Sequence, residues 1–552
     1  MLEHLRRRLD EARAAARSGA VALDALRKAG FGELLTAGGL FAFALSWRTI
    51  PRGPTAIIRF HAFNTPWKEA LVDGAERLTY KTLDESVNRL AHGLRALGVE
   101  QGSRVAVMMR NCAAYLQTQW AVTRLGATLV QVGYRSKAPE IAYILENSKP
   151  VAFVYHRDHE DAVAEAQRSA GLPAEAALVR VPDRLAELLA GGDPAAPPPL
   201  ARKWADLPGG VMVYTSGTTG KPKGAARHLK KNLHEAVADL MRQVGYRHDE
   251  RHLTVCPLYH SAAPAFTALT YLVGGTVVLR DHFDPEEILA TIARERITSS
   301  FMVPTMLGRL AALPEDVRKR HDTSSLRWLL SGAAPLPTET ARLVEGAFGG
   351  VLYNFYGATE TGMVTLALPG EHTRRPGTIG RALGGNEIRL VGEDGRDAPV
   401  GAVGEVWVRN SMIVDGYHGD EAATRKSLQG GFFSVGDMAR VDADGYYYLA
   451  DRKHDMVISG GVNIYPLEIE QHLYGHPAVL EAAVVGVPDP DWGEALKAFV
   501  VRRPGAELDA DGVRAWCKRS LADFKCPKAI EFLDALPRNP TGKVLKRELR
   551  AR

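Results

Sequence analysis

Between Pro66 and Pro150 the chain alternates short apolar runs with segments whose apolar residues recur every three to four positions. "LTYKTLDESVNRLAHGLRALGV" reads as a short strand, a turn and an amphipathic helix, and "SRVAVMMRN" as a buried strand. Similar apolar runs recur at "PVAFVYH", "AALVRVP", "VMVYTSG", "HLTVCPL", "GGTVVLR", "ITSSFMVP" and "LRWLLSGAA". Strands that alternate with helices predict parallel sheets with helices laid on their faces, an α/β fold. After Pro376 the pattern changes to glycine-punctuated alternation, "NEIRLVGEDGRDAPVGAVGEVWVRN" and "GGFFSVGDMARVDADGYYYLADR", which predicts hairpins in a small β-rich subdomain. Beyond Asp451 a further unit of ~100 residues has the length of a small domain. In it "PLEIEQHLYGHP" reads as a helix, and "VLEAAVVGVPD" and "ALKAFVVRRP" as strands. The stretch "GGDPAAPPPLARKWADLPGG" is rich in proline and glycine and predicts a surface loop.

Composition narrows the class without naming it. The 552 residues are 46% hydrophobic and 24% charged, as in ordinary globular chains, and the length suffices for more than one core. An excess of five positive charges, with no long basic or acidic block, argues against nucleic acid as a partner. Cys112, Cys256, Cys517 and Cys526 show neither CxxC spacing nor a dense framework, so zinc and disulfides are not expected and a reducing cytoplasm fits.

The first 47 residues stand apart from this. Met1 to Gly30 carries Arg6, Arg7, Arg8, Arg13, Arg17, Arg27 and Lys28 among leucines and alanines, the pattern of a basic amphipathic helix, and lacks the features of a signal peptide. "FGELLTAGGLFAFALSW" follows, too short for a bilayer span of ~20 residues. Two readings stay open: a helical extension packed on the body of the protein, or peripheral contact with the inner face of a membrane through residues 1–47. Oligomeric state also stays open, a homodimer included.

The chemistry begins at "YTSGTTGKPKGAARH", Tyr214 to His228. A Walker loop needs GxxxxGK[ST] spacing and continues into a helix, whereas here Pro222 follows Lys221. The strand "VMVY" instead delivers the chain into Thr215, Ser216, Gly217, Thr218, Thr219 and Gly220. Their backbone amides and hydroxyls, with Lys221 or Lys223, suit phosphate oxygens on a loop that closes over them.

Tyr214 to Gly224 resembles the phosphate-loop signature of the adenylate-forming superfamily, which contains acyl-CoA synthetases, aryl-CoA ligases and peptide-synthetase adenylation domains. Further motifs follow in that family's order, from about Leu78 to Lys546. "YNFYGATE" is similar to its aromatic-Gly-x-Thr-Glu motif, which implies nucleotide contacts from Asn354, Phe355, Tyr356 and Gly357. Tyr356 is then the adenine-stacking ring, Thr359 the α-phosphate hydroxyl and Glu360 the Mg²⁺ carboxylate. "SGAAPLP" places Gly332, Ala333 and Ala334 along the adenine pocket. "FFSVGD" implies that Asp437 binds the ribose hydroxyls, although Val435 stands where the family usually has threonine. In "DRKHDMVISGGVNIYPLEIE", Arg452 matches the ribose arginine, His454 occupies the hinge position, usually Asp or Lys, and Gly460 and Gly461 match the glycines beside the CoA tunnel. "PRNPTGKVLKREL" implies that Lys543 is the catalytic lysine.

The resemblance implies a large N-terminal domain over 51–451, built of two α/β layered subdomains plus the β-rich one, and a smaller mobile α+β C-terminal domain over 452–552, behind an extension over 1–50. It implies an ATP-, Mg²⁺- and coenzyme A-dependent ligase that makes an acyl-adenylate and then a thioester. "CPLYHSAAPAFTALTYL" falls where the carboxylic acid binds, with His260 as gate and no carboxylate to hold an amino group. Ala262, Ala263, Ala265 and Ala358 leave space and Phe266 and Phe301 supply apolar wall, so a medium- or long-chain fatty acid is expected. An aryl acid, or a carrier protein in place of CoA, is the alternative.

Overall fold

The computed structural model describes residues 19–46, 55–170, 177–198, 209–215, 223–228, 235–459, 462–538 and 544–552. Among the described residues one sheet holds fifteen strands, a second seven and a third five. In the largest, Trp328–Ser331, Ser299–Met302, Arg251–Thr254, Thr276–Leu279 and Glu69–Asp73 lie side by side and parallel. Every residue of Trp328–Ser331, Ser299–Met302 and Thr276–Leu279 is buried, so their apolar members read as short runs rather than as a strict alternation. Leu352–Ala358 continues the sheet in parallel and then turns back antiparallel as Gly362–Ala367. From there Thr378–Ala382 leads into the hairpin strands Tyr447–Arg452, Asp437–Val441 and Gly404–Arg409.

In the seven-stranded sheet Ala177–Val181, Ala152–His156, Arg104–Met108, Thr128–Gln131 and Gly210–Thr215 are parallel neighbours. Gly210–Thr215 then forms a hairpin with Lys223–His228, whose outer edge is covered by the two-residue strand Gly416–Tyr417. Pro222 therefore precedes a strand, not a helix.

Helix Ala113–Arg124 is buried on every side except at Ala114, and it belongs to the core cluster that joins Val105 and Leu129 of the smaller sheet to Leu71 and Val277 of the larger. Arg124 is carried inside that core because Asp84, 2.9 Å away, and Asn88 on helix Tyr80–Ala96 take its guanidinium. The turn expected before that helix is absent. Thr79 Oγ1 accepts from the Thr82 amide at 3.2 Å and Thr82 Oγ1 accepts from the Thr79 amide at 2.9 Å, so the strand Glu76–Thr79 runs directly into a capped helix.

Residues 19–28 form a helix, followed by Phe31–Leu34 and the uncharged helix Ala37–Ser46. The extension packs on the body of the protein. Phe31 stacks on Phe60 with centroids 5.4 Å apart, Leu34 is buried, and the Thr36 amide donates to Asn64 Oδ1 at 3.2 Å. A Cβ on Gly39 would lie 2.5 Å from Asn64 Oδ1, so only glycine lets the helix approach so closely. Yet Leu40 and Phe41 stay 42% and 67% exposed. Among the described residues no helix is long and apolar enough to cross a membrane.

The five-stranded sheet contains Val457–Ser459, Val462–Ile464, Gly493–Arg502, Val479–Asp489 and Ala529–Phe532. Alternation along Val479–Asp489 sends Val484 into one core with Ile469, Leu473 and Val513, and Val485 into another with Phe499 and Leu549. Helices Pro466–Tyr474 and Ala510–Lys518 cover the first face and the tail helix Lys546–Arg550 supplies Leu549 to the second.

Candidate active site

Residues far apart in sequence meet where the two large sheets touch. Thr215 ends the strand Gly210–Thr215, and its hydroxyl donates to Glu360 Oε1 at 3.2 Å. The Tyr417 hydroxyl donates to the same oxygen, also at 3.2 Å. Thr359 Oγ1 lies 3.2 Å from Ser261 Oγ, next to His260 at the mouth of helix Ala262–Leu272. Tyr356 donates to Asp437 Oδ2 at 2.8 Å, and Arg452 Nε stands 3.4 Å from Asp437 Oδ1. Thus Thr215 and Tyr417 gather on Glu360, beside Thr359, while Tyr356, Asp437 and Arg452 form a second group, and the strand Leu352–Ala358 with its turn carries members of both.

Local folding explains their placement. Tyr356 and Glu360 lie on the strand Leu352–Ala358 and in its turn to Gly362–Ala367, which aims the turn at the neighbouring sheet. A Cβ on Gly357 would lie 2.0 Å from the Gly362 carbonyl oxygen, so this tight turn requires glycine. Asn354 is buried beside Ser331, and Phe355 crosses Gly332, where a Cβ would come within 2.5 Å of its ring. Ala333 adopts φ +66°, a left-handed conformation that turns the main chain sharply, and Ala333 and Ala334 are exposed. Asp437 faces Arg452 because the two are register partners in adjacent strands.

Arg227 and Tyr417 complete the site without having been singled out by any motif. Arg227 Nη2 donates to the Thr359 carbonyl at 2.6 Å, on the same turn that holds Glu360. Burial lowers the Arg227 pKa, and the nearby Glu360 and Asp415 carboxylates act against that shift. Tyr417 has its phenol pushed upward by burial and by Glu360, and Tyr356 by burial and Asp437, so both remain protonated donors to those carboxylates. Lys223 opens its strand with the ammonium 5.0 Å from the Tyr417 ring centroid and 3.9 Å from Asp420 Oδ2. The alternation of "KGAARH" could have exposed Arg227 as a cation on a buried strand. Tyr417 offered no local signal.

Glu360 fits a cation. It is 7% exposed, and the two hydroxyls occupy two of the roughly four acceptor positions of a carboxylate. Among the described residues no group of three or more His, Cys, Asp or Glu side chains gathers into a metal nest. This suits Mg²⁺ held by one carboxylate together with phosphate oxygens and water.

At the acid end, the His260 ring lies 4.1 Å from Tyr259 and its amide donates to Pro257. Phe266 and Phe301 are buried, stacked at 5.2 Å, with Phe355 within 5.9 Å of the former and 5.7 Å of the latter. His454 is 43% exposed and lies 3.6 Å from Asp455. Ser216, Gly217, Thr218, Thr219, Gly220, Lys221, Gly460, Gly461 and Lys543 lie outside the described residues.

Comparison with known proteins gives this arrangement a family. The AMP-binding enzyme model matches residues 58–418, and the AMP-binding enzyme C-terminal domain model matches 468–543. A feruloyl-CoA synthase of Amycolatopsis sp is 40% identical over 496 residues, covering 88% of this chain and 96% of that protein. A long-chain-fatty-acid–CoA ligase of Mycobacterium tuberculosis is 32% identical over 496 residues, covering 90% and 97%. The crystal structure of ATP-bound MatB from Rhodopseudomonas palustris superimposes with a TM-score of 0.80 at 31% identity, over 91% of this chain and 99% of that one. The chain belongs to the AMP-binding enzyme family. Within it, the activity is that of an AMP-forming acid–CoA ligase, for which ATP and CoA are the expected co-substrates.

Proposed function

We propose that the acid is aromatic and of about the size of ferulate. The observation that carries this reading is the packing of Phe266 and Phe301. A long aliphatic chain needs a channel past these side chains, but they are buried against each other, and Phe266 also contacts Trp328. A flat ring needs only the shallower space beside the partly exposed Ala262, Ala265 and Ala358, where aromatic neighbours favour offset or edge contacts. The 40% identical relative, named for feruloyl-CoA, supports this choice over the fatty acid expected from the alanines and the phenylalanine wall.

In the first half-reaction the carboxylate oxygen attacks the α-phosphorus of ATP, forming the acyl-adenylate as the bond to pyrophosphate breaks. Tyr356 stacks on adenine, Asp437 and Arg452 hold the ribose, and Thr359 and Lys543 bind the developing charge. Glu360 would hold Mg²⁺, which would offset phosphate charge, and residues 215–223 would enclose the departing pyrophosphate. In the second, the CoA thiolate attacks the acyl carbonyl, the thioester forms and AMP leaves. A swing about His454 of a large domain, 51–451, against a small one, 452–552, exchanges Lys543 for the Gly460–Gly461 segment.

The test is acid-dependent pyrophosphate release with ATP and CoA. Ferulate and related aromatic acids are expected to exceed octanoate and palmitate by at least about tenfold in kcat/KM, since pocket shape sets discrimination of this order. A palmitate preference would reject the aromatic reading. Activity with carrier phosphopantetheine but not CoA would reject the thiol assigned.

We also propose peripheral membrane contact through the extension, on the exposure of Leu40 and Phe41 beside a sequence rich in arginine. Leu40→Ser with Phe41→Ser is expected to lower co-sedimentation with phosphatidylglycerol-containing vesicles by about tenfold. Sedimentation equal to that of the parent protein would remove the proposal.

A further inference from the structure

Asp451 is the next-to-last residue of the strand Tyr447–Arg452 and lies three residues before His454. Its side chain is 7% exposed. One oxygen, Oδ1, takes the Arg452 amide at 2.7 Å. The other, Oδ2, takes the Leu467 amide at 2.9 Å and faces Lys546 Nζ at 3.9 Å. Leu467 and Lys546 are both beyond His454. Lys546 is held more closely by Glu470 Oε1, at 2.8 Å, and the same Glu470 oxygen accepts from the Val484 amide at 2.8 Å. Arg550, one turn along the tail helix, bonds Asp455 Oδ1 at 2.7 Å and the His454 carbonyl at 3.3 Å.

These contacts sort by what a swing about His454 does to them. Arg452, the first residue of the 452–552 unit, precedes the pivot at His454 and stays with the large domain, because it is the ladder partner of Asp437. The contacts of Glu470 with Lys546, and of Asp455 with Arg550, join residues that travel together. The bonds from Asp451 to Leu467 and to Lys546 join a residue that stays to two that leave, so they exist in one orientation and break in the other. Lys546 also follows Lys543 by three residues, so whatever fixes Lys546 restricts where Lys543 can reach.

We propose that Asp451 is a positioning residue: its carboxylate, bonded to the Leu467 amide and facing Lys546, is a latch that stabilises one domain orientation and so sets the balance between adenylate formation and thioester formation. This rests on the two-step ligase reading and is independent of which acid is used. When the latch opens, Lys546 keeps Glu470 as partner, so no buried ammonium is stranded and the barrier to release stays low. An amide at position 451 keeps an acceptor for Leu467 but loses the attraction for Lys546.

Two measurements on the full chain test the latch. Acid-dependent ATP–pyrophosphate exchange and CoA-dependent consumption of a supplied acyl-adenylate report the two half-reactions separately. Asp451→Asn is expected to change their ratio by about threefold or more, and Lys546→Arg alone, which keeps the charge, is expected to leave the ratio close to that of the parent protein. Equal change in both half-reactions, or none, overturns the proposal. Pulsed EPR between spin labels at the exposed Val400 and Trp492 reads orientation without catalysis. Asp451→Asn is expected to broaden or shift the distance distribution, and an unchanged distribution overturns the proposal. Failure of every acid in the exchange assay would count against the ligase reading, and the EPR result would still decide the latch.

Discussion

Lys543→Ala is expected to slow adenylate formation by two to three powers of ten, the cost of removing one preorganised donor to transition-state charge. In the sequence "PTGK" a proline limits the backbone and a glycine frees it just before the lysine, the pattern from which its role in the proposed first half-reaction is drawn. The charge it stabilises exists only while the carboxylate attacks phosphorus. Consumption of a supplied acyl-adenylate with CoA should therefore stay within a few-fold of the parent enzyme. Stopped-flow measurement of both half-reactions checks this, and an equal loss in both would contradict the exchange of surfaces about His454.

Glu360→Gln is expected to lower adenylation by about two powers of ten and to raise the Mg²⁺ concentration needed for half-maximal rate. The substitution is informative because Thr215 and Tyr417 both donate to Oε1, and an amide oxygen can still receive them. The contact between the sheets survives while the negative charge is lost. Arg227, on the same turn through Thr359, is then left with less anionic company and repels the incoming cation. Titration of pyrophosphate release with Mg²⁺ checks the expectation, and an unchanged metal dependence would move the metal role away from Glu360.

The parallel strands were legible because burial on both faces writes an uninterrupted apolar run, as in "SRVAVMMRN" and "LRWLLSGAA". The hairpins after Pro376 were legible for the complementary reason: Glu387–Val391 and Gly404–Arg409 alternate, and one face is exposed. The family motifs marked segments that the structure brings together around Glu360 and Asp437. Less legible were features made by distant partners. Lys223–His228 has little apolar pattern of its own and becomes a strand through the hairpin with Gly210–Thr215. The Arg227 contact spans 132 positions, a distance at which sequence spacing says nothing. The alanines along Ala262–Leu272, with Phe266 and Phe301 as apolar wall, suggested a fatty acid, but the shape of such a space depends on neighbours such as Phe355, which packs against both rings and which sequence spacing does not place.

The short strand Gly416–Tyr417 has a consequence for how the chain matures. It covers the edge of Lys223–His228 and also carries the hydroxyl that meets Glu360. As the polypeptide emerges from the ribosome, the seven-stranded sheet can assemble most of its parallel strands early, but its last edge stays unsealed until a segment almost two hundred residues downstream has been synthesised. The smaller sheet is thus finished by the same stretch that finishes the surroundings of Glu360, and a nascent chain cannot give Glu360 both of its hydroxyl donors before Tyr417 has been synthesised.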